Sequence, residues 1–416
     1  MNKKAFAVVV GGGPAPGING VISAATIEAI NRGHRVYGIM NGFSQIMLGD
    51  DSCLHELSIR DVSRIHLEGG SILNTSRANP TKDEKHLQNV VRLLEAKDIA
   101  HLVSIGGDDT VSTARAINRA AQGRVAVGHV PKTIDNDLPI PGMYSTFGFQ
   151  TAREAGTEIA ETLMLDGKTT GRWYIMVAMG RKAGHLALGI GISAAATLTI
   201  IPEEFGEKKV SINRIVDTIV GSILKRLARG QNHGLVVLAE GLAECLEVSS
   251  VPELQDAERD PHGNIRFAEV DFGSMVKKRV RSRLEELGVK LIVVEKNVGY
   301  ELRCRRPNTF DREYTRELGY GIVDFLASGN SGAMISRQGG ELVAMPFEEF
   351  IDAASGRSQI RTVDTGSITY RVARKYMIRL SEEDLRDDSL LEQMAACTKR
   401  SAADLRQMFI ESEAAI

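Results

Sequence analysis

His101-Leu102-Val103-Ser104-Ile105-Gly106-Gly107-Asp108-Asp109-Thr110 reads as a buried strand, a glycine turn and the opening of a helix. The strand, His101–Ile105, is largely apolar along both faces, and Val111–Ala121 continues with helical spacing. Strands of this kind belong in parallel sheets with helices on both sides. The pattern recurs in both directions from this point. Further strands are predicted at Ala5–Val10, Arg35–Met40, Arg124–Val130, Tyr174–Met179, Leu198–Ile201, Gly234–Ala239 and Lys290–Val294. Helices are predicted at Ile18–Asn31, Thr151–Leu165, Gly184–Ala196, Ile212–Ala228, Met275–Leu287 and Glu313–Leu326. Alternation of this sort defines an α/β protein, and at least eight strands point to two doubly wound parallel-sheet lobes. The length of 416 residues agrees, since about 150 residues per domain gives two or three domains.

Composition narrows the function. Apolar residues make up 43% of the chain and charged residues 25%, as in an ordinary folded protein. Lysine plus arginine (51) nearly balances aspartate plus glutamate (53), for a net charge of −2. Such a chain has no bulk attraction for nucleic acid or an anionic membrane, so any anion must be held by local clusters. Cys53, Cys245, Cys304 and Cys397 form no C-x-x-C pair, which fits a reducing, cytoplasmic setting and not a disulfide scaffold. Ala183–Pro202 carries no Asp, Glu, Lys or Arg, but its glycines, its threonines and Pro202 read as a buried helix running into a buried strand, not a membrane span. The nine histidines include no His-x-x-x-His pair, and no Gly-x-Ser-x-Gly elbow occurs, which removes two hydrolase classes. Val248–Arg266 is polar and turn-rich and reads as a surface excursion. The charges of residues 380–416 read as the solvated faces of terminal helices.

Three turns carry chemistry. Gly11-Gly12-Gly13-Pro14-Ala15-Pro16-Gly17 follows the first strand and opens a helix, a form in which bare backbone N–H groups approach an anion. It matches neither the dinucleotide fingerprint nor a P-loop, and a plain strand-to-helix turn explains it equally well. Gly106-Gly107-Asp108-Asp109 sets two carboxylates at a strand's C-terminal end, where Mg²⁺ could bridge to phosphate; helix capping by Asp109 or Thr110 is the alternative. Pro131-Lys132-Thr133-Ile134-Asp135-Asn136-Asp137 adds a cation and two carboxylates spaced i, i+2. In an extended segment these carboxylates project to one side, one able to act as general base and the other to orient metal. The alternative is an Asx-type turn before Pro139. Isolated arginines stand near other strand ends: Arg77, Arg172, Arg181 and Arg303. Three converging guanidinium groups would suit a phosphomonoester.

In this order and spacing, the glycine turn, Gly-Gly-Asp, Thr-Ile-Asp-Asn-Asp, Met179-Gly180-Arg181 and Glu240-Gly241 resemble the phosphofructokinase family over about residues 6–350. The resemblance implies two α/β lobes with the active site in the cleft between them. One would hold residues 1–147 and about 304–352 and bind the phosphoryl donor; the other would hold 148–303 and about 353–416 and bind the sugar phosphate. It implies phosphoryl transfer to the 1-hydroxyl of fructose 6-phosphate. Two positions resemble the pyrophosphate-dependent branch. Asp109 replaces the glycine of ATP-using bacterial members and would repel ATP's α-phosphate, and Lys132 would add a cation beside the transferred group.

By the same resemblance Gly12, Gly107, Asp109 and Lys132 contact the donor, Asp108 ligates Mg²⁺, Arg77 neutralises transition-state charge and Asp135 is the base. Thr133, Ile134, Asp135, Met179, Gly180, Arg181 and Glu240 would contact the sugar. Arg172, Tyr300, Glu301, Leu302 and Arg303 would surround its 6-phosphate. Lys296 is the nearest stand-in for a family arginine missing here. Arg172 would reach a neighbouring subunit's site, which implies a homodimer or homotetramer. The resemblance leaves three other readings: an ATP-dependent phosphofructokinase, an NAD-kinase-like or lipid-kinase-like enzyme, and a non-catalytic regulatory subunit. The Thr-Ile-Asp-Asn-Asp loop argues against the second, and intact Asp108, Asp135 and Arg181 argue against the third.

Overall fold

The computed structural model describes residues 4–140, 144–206, 208–255, 270–350 and 359–414. They form two compact units, 1–152 with 300–361 and 153–299 with 362–416. Tyr300–Arg303, assigned from the sequence to the second lobe, therefore falls in the first unit.

The first unit is built on strands β1 (Ala5–Val10), β2 (Val36–Ile39), β3 (Leu54–Glu56), β4 (Ile99–Gly106), β5 (Ala126–Thr133) and β6 (Phe147–Gly148). The second contributes β7 (Arg172–Ala178), β8 (Leu198–Ile200), β9 (Gly234–Ala239) and β10 (Ile292–Val298). The chain then returns to the first unit for β11 (Ala333–Gln338) and β12 (Glu341–Pro346). The larger sheet has the order β12-β11-β5-β4-β1-β2-β3, with β6 beside β5. Its centre is parallel, as expected for strands such as β1 whose six residues are all buried. Its two ends are not: β3 and β12 run antiparallel to their neighbours. The β11–β12 hairpin turns at Gly339-Gly340, both with positive φ, which suits the mirror-image turns of tight hairpins. The second sheet, β10-β7-β9-β8, is parallel throughout.

Helices cover both faces of the larger sheet. α1 (Ile18–Asn31) packs with a helix at Thr309–Ala327 on one side, around Phe6, Val8, Ile22, Leu318 and Ile322. The other side holds α2 (Glu84–Ala96), α3 (Asp108–Ala121) and the apolar set Val9, Val90, Leu102 and Ile117. α2 lies outside the helices that the sequence predicts. Its apolar residues (Leu87, Val90, Val91, Leu94) keep helical spacing, and Asp83 caps it by accepting from Lys85 N–H at 2.8 Å. In the second unit, Ala183–Pro202 forms a helix at His185–Ser193 followed by β8, both buried as expected. Among the described residues no helix is long and apolar enough to cross a membrane. Of the predicted surface excursion, Val248–Gln255 forms two short helical turns; the remainder lies outside the described residues.

The path of the larger sheet places its switch point between β1 and β4. Chain order runs from β1 outward to β2 and β3 on one side, and from β4 to β5 on the other. In open α/β sheets ligands bind there, beyond the carboxyl ends of the strands. Both glycine turns stand at that point.

Candidate active site

The first unit gathers the donor-side residues. Gly11 N–H donates to Ile105 O at 2.9 Å, joining the ends of β1 and β4. Both turns close over Thr110: a Cβ on Gly11 would stand 2.6 Å from its Oγ1, and one on Gly106 2.3 Å. Glycine is needed at these two places because the strand ends approach the helix start too closely for a side chain. Gly12 N–H donates to Ser76 O at 2.9 Å, and Thr75 Oγ1–H donates to Gly12 O at 2.6 Å. These bonds tie the loop carrying Arg77 to the first turn.

α3 begins at Asp108, with Gly107 as its cap residue and no side-chain cap. Asp108 Oδ1 accepts from Asp109 N–H at 2.8 Å, and because Gly107 occupies the cap position neither Asp109 nor Thr110 is the cap residue. Asp109 is exposed in the first helical turn, where aligned N–H dipoles favour negative charge.

Lys132 is the centre of the cluster. It is the penultimate residue of β5, is 4% exposed, and its Nζ donates to the carbonyl of Gly13. A Cβ on Gly12 would lie 3.3 Å from that Nζ. Burial pushes the lysine down to about 8. Asp135 works against that shift, Arg303 and Arg77 reinforce it, and Asp108 opposes it. Lys132, Asp135, Arg303, Arg77 and Asp108 thus share one electrostatic environment, as the sequence reading required of all but Arg303.

This predicts a pH limb. Lys132 is cationic below about pH 8 and loses its charge above it, so kcat/KM for an anionic donor should fall as pH rises through that value. A bound anion favours the charged form, so the kcat limb should stand at higher pH. Lys132→Met should remove the limb; a wild-type profile flat to high pH would show that the lysine's charge is not used.

The loop after β5 differs from expectation. Asp135 and Asp137 do not share one side of an extended segment, because Asn136 adopts a left-handed backbone (φ 59°) and bends the chain between them. Asp135 N–H donates to Thr133 Oγ1 at 3.0 Å, and Thr146 Oγ1–H donates to Thr133 O at 2.8 Å. Ile134 is buried, as are Asp135 and Asp137.

Tyr300–Arg303 forms one helical turn. Tyr300 is 76% exposed, Glu301 is exposed, and Leu302 is fully buried, so the Leu302 side chain offers no surface to a ligand. The Arg303 guanidinium lies over the Tyr300 ring at 4.8 Å and beside Gly13, 3.5 Å from where a Cβ would stand. Arg303 thereby joins the donor-side cluster.

The second unit holds the remaining predicted residues. Met179-Gly180-Arg181 follows β7, and Glu240 follows the adjacent β9. Glu240 Oε2 accepts from Gly180 N–H at 3.3 Å and Arg181 N–H at 3.2 Å, a bend eased by the left-handed Arg181 (φ 50°). Arg172 opens β7 at its opposite end, about 20 Å from the Met-Gly-Arg turn for a strand of that length. Lys296 is exposed along β10.

Two contributors belong to no motif of the sequence. His129, wholly buried in β5, is pushed down to about 3 by burial, so its ring is neutral. Its Nε2 meets Gly106 O at 3.0 Å and must donate there, because a carbonyl only accepts. Nδ1 then accepts from Ser104 Oγ–H at 3.2 Å. This bond braces the second glycine turn. The other is Arg361, distant in sequence and bonded to the loop after Asp135.

A family model described as Phosphofructokinase matches residues 5–326. The chain belongs to the phosphofructokinase family. It is 49% identical to the pyrophosphate–fructose 6-phosphate 1-phosphotransferase of Naegleria fowleri, over 98% of this chain and 95% of that one. It is also 49% identical to the enzyme of the same name from Thermotoga maritima, over 92% and 93%. A solved pyrophosphate-dependent phosphofructokinase from Marinobacter aquaeolei shares the fold, with a TM-score of 0.67, 17% identity and coverage of 90% and 91%. A Pichia pastoris phosphofructokinase superposes with a TM-score of 0.68 at 20% identity, over 99% of this chain and 39% of that longer one.

Proposed function

We propose that this protein transfers a phosphoryl group from pyrophosphate to the 1-hydroxyl of fructose 6-phosphate, giving fructose 1,6-bisphosphate and phosphate. The observation that carries this reading is the buried Lys132 within the field of Asp135, Asp108, Arg77 and Arg303, beside two glycine turns at the sheet's switch point. The two curated relatives at 49% identity carry the same activity in their names.

Asp135 accepts the proton of the sugar's 1-hydroxyl as that oxygen forms its bond to phosphorus. The bridging P–O bond of pyrophosphate breaks, and inorganic phosphate leaves. Lys132, Arg77 and Arg303 offset the negative charge on the transferring group, and Gly12 and Gly107 let the donor approach the backbone. Met179, Gly180, Arg181 and Glu240 hold the sugar. Asp108 would hold magnesium. Among the described residues no group of three or more His, Cys, Asp or Glu side chains converges. Magnesium is commonly held by one or two carboxylates together with substrate phosphates, and Asp108 at the start of α3 could supply one. When bound, Mg²⁺ would neutralise phosphate charge.

Asp109 selects the donor. Its carboxylate stands in the first turn of α3, where a nucleotide's α-phosphate would meet like charge. Pyrophosphate has no such group. Use of pyrophosphate in place of ATP leaves the overall reaction closer to balanced, which supports operation in both glycolytic and gluconeogenic directions. The separation of Arg172 from the Met-Gly-Arg turn supports its use in a neighbouring subunit's site and hence a homodimer or homotetramer. Four free cysteines support a cytoplasmic setting.

The test is phosphorus NMR of purified protein with Mg²⁺, run from each side. Pyrophosphate plus fructose 6-phosphate should give the bisphosphate and phosphate, and those products should regenerate pyrophosphate. Absence of turnover from both sides would remove the assignment.

A further inference from the structure

The loop that carries Asp135 is fastened by a residue far away in the chain. Arg361 donates from Nε to Asn136 O at 3.0 Å, from Nη1 to Tyr144 O at 2.7 Å and Ile140 O at 3.3 Å, and from Nη2 to the side-chain oxygen of Asn136. Its backbone N–H donates to Asp137 O at 2.7 Å. Of the five N–H groups of a guanidinium, four are thus spent on this one loop, which leaves little to offer a phosphate. Burial lowers the guanidinium's pKa and the nearby Asp137 raises it.

The bonds fall where the loop bends. Asn136 is left-handed, a conformation that asparagine tolerates better than most side-chain-bearing residues, and Arg361 grips both of its oxygens. Thr146 N–H closes the same turn from the other side, donating to Asn136 Oδ1 at 3.0 Å. The loop's apolar residues are held separately: Leu138 and Ile140 pack with Met334, Met345 and Phe350 against the β11–β12 hairpin. Packing therefore keeps the loop attached to the unit, and the arginine fixes the turn immediately after the base.

We propose that Arg361 is a positioning residue for phosphoryl transfer, clamping the turn at Asn136 so that the Asp135 carboxylate stays aimed at the sugar hydroxyl. It touches no reactant. This rests on the assignment of Asp135 as base.

The experiment compares Arg361→Ala and Arg361→Lys in the full chain, with steady-state kinetics on pyrophosphate and fructose 6-phosphate and a thermal melt of each. A misaimed reacting group costs on the order of 100-fold. Arg361→Ala should lose about that factor in kcat, with both KM values changing little, because the lost interaction serves the transition state. Lysine keeps the charge but not the fork, so Arg361→Lys should recover only part. Millimolar guanidinium should restore turnover to Arg361→Ala and leave Asp135→Ser unchanged. Folded Arg361→Ala with wild-type kcat would overturn the proposal. So would a loss that vanishes at temperatures where the melt shows the variant fully folded. If Arg361→Ala does not fold, Arg361→Lys decides: native kcat in a folded protein overturns the clamp, and a reduced kcat at unchanged KM supports it. Full turnover by Asp135→Ser would strike the base assignment; full turnover by both Arg361 variants beside an inactive Asp135→Ser strikes only the clamp.

Discussion

Asp135→Ser should lower kcat by about 10²–10⁴-fold, the usual contribution of a positioned general base, while the KM for fructose 6-phosphate stays near its wild-type value. Serine keeps a small polar group in a buried position but cannot take a proton at neutral pH. The surrounding bonds predict that the change stays local: the loop is tied by Thr133, Thr146 and Arg361, and these bonds reach backbone atoms or the side chain of Asn136. Loss of the Asp135 charge also removes the largest influence holding Lys132 in its charged form, so the lysine's pH limb should move to lower pH. Steady-state rates across pH read both effects at once. A variant that keeps more than a tenth of wild-type kcat would take Asp135 out of the base's role.

Asp109→Gly should change which donor works. The carboxylate is exposed at the start of α3, so its effect on an incoming phosphate is one of direct repulsion and occupied space, not of fold. Its removal should raise kcat/KM for ATP by about tenfold or more, since two like charges within a few ångströms repel by at least a kcal/mol or so even near solvent. Pyrophosphate should lose ground in the same variant, and the ratio of the two specificity constants is the quantity to measure. The helix itself should survive, because Gly107 and the first-turn Asp108 remain. An unchanged ratio would break the link between this side chain and donor choice.

The parts of the molecule that were legible in sequence share a cause. Buried parallel strands are short apolar runs ended by glycine turns, so β1, β4 and β9 could be located within a residue or two, and the glycine turns marked the site. The edges of the larger sheet were not legible. β3 is a three-residue strand, and the β11–β12 hairpin mixes polar and apolar residues on a half-exposed edge; the Gly339-Gly340 pair was the available signal. Within the site, residue types and spacing pointed to Asp108, Lys132 and Asp135, but the bend at Asn136 depends on a bond from a residue 225 positions away. His129 was hidden for a related reason: in sequence it is one polar residue inside an apolar strand, and its role follows from the carbonyl it meets across the sheet. The Arg303 guanidinium lies at Gly13, a placement that follows from the return of the chain to the first unit at Tyr300 and that no motif announces.

The most direct measurement is the rate of fructose 1,6-bisphosphate formation by the unmodified protein, with pyrophosphate or ATP as the sole phosphoryl donor at saturating Mg²⁺ and fructose 6-phosphate. Rapid turnover with pyrophosphate and little or none with ATP is the predicted result. Rapid turnover with ATP while pyrophosphate stays inert would contradict the account.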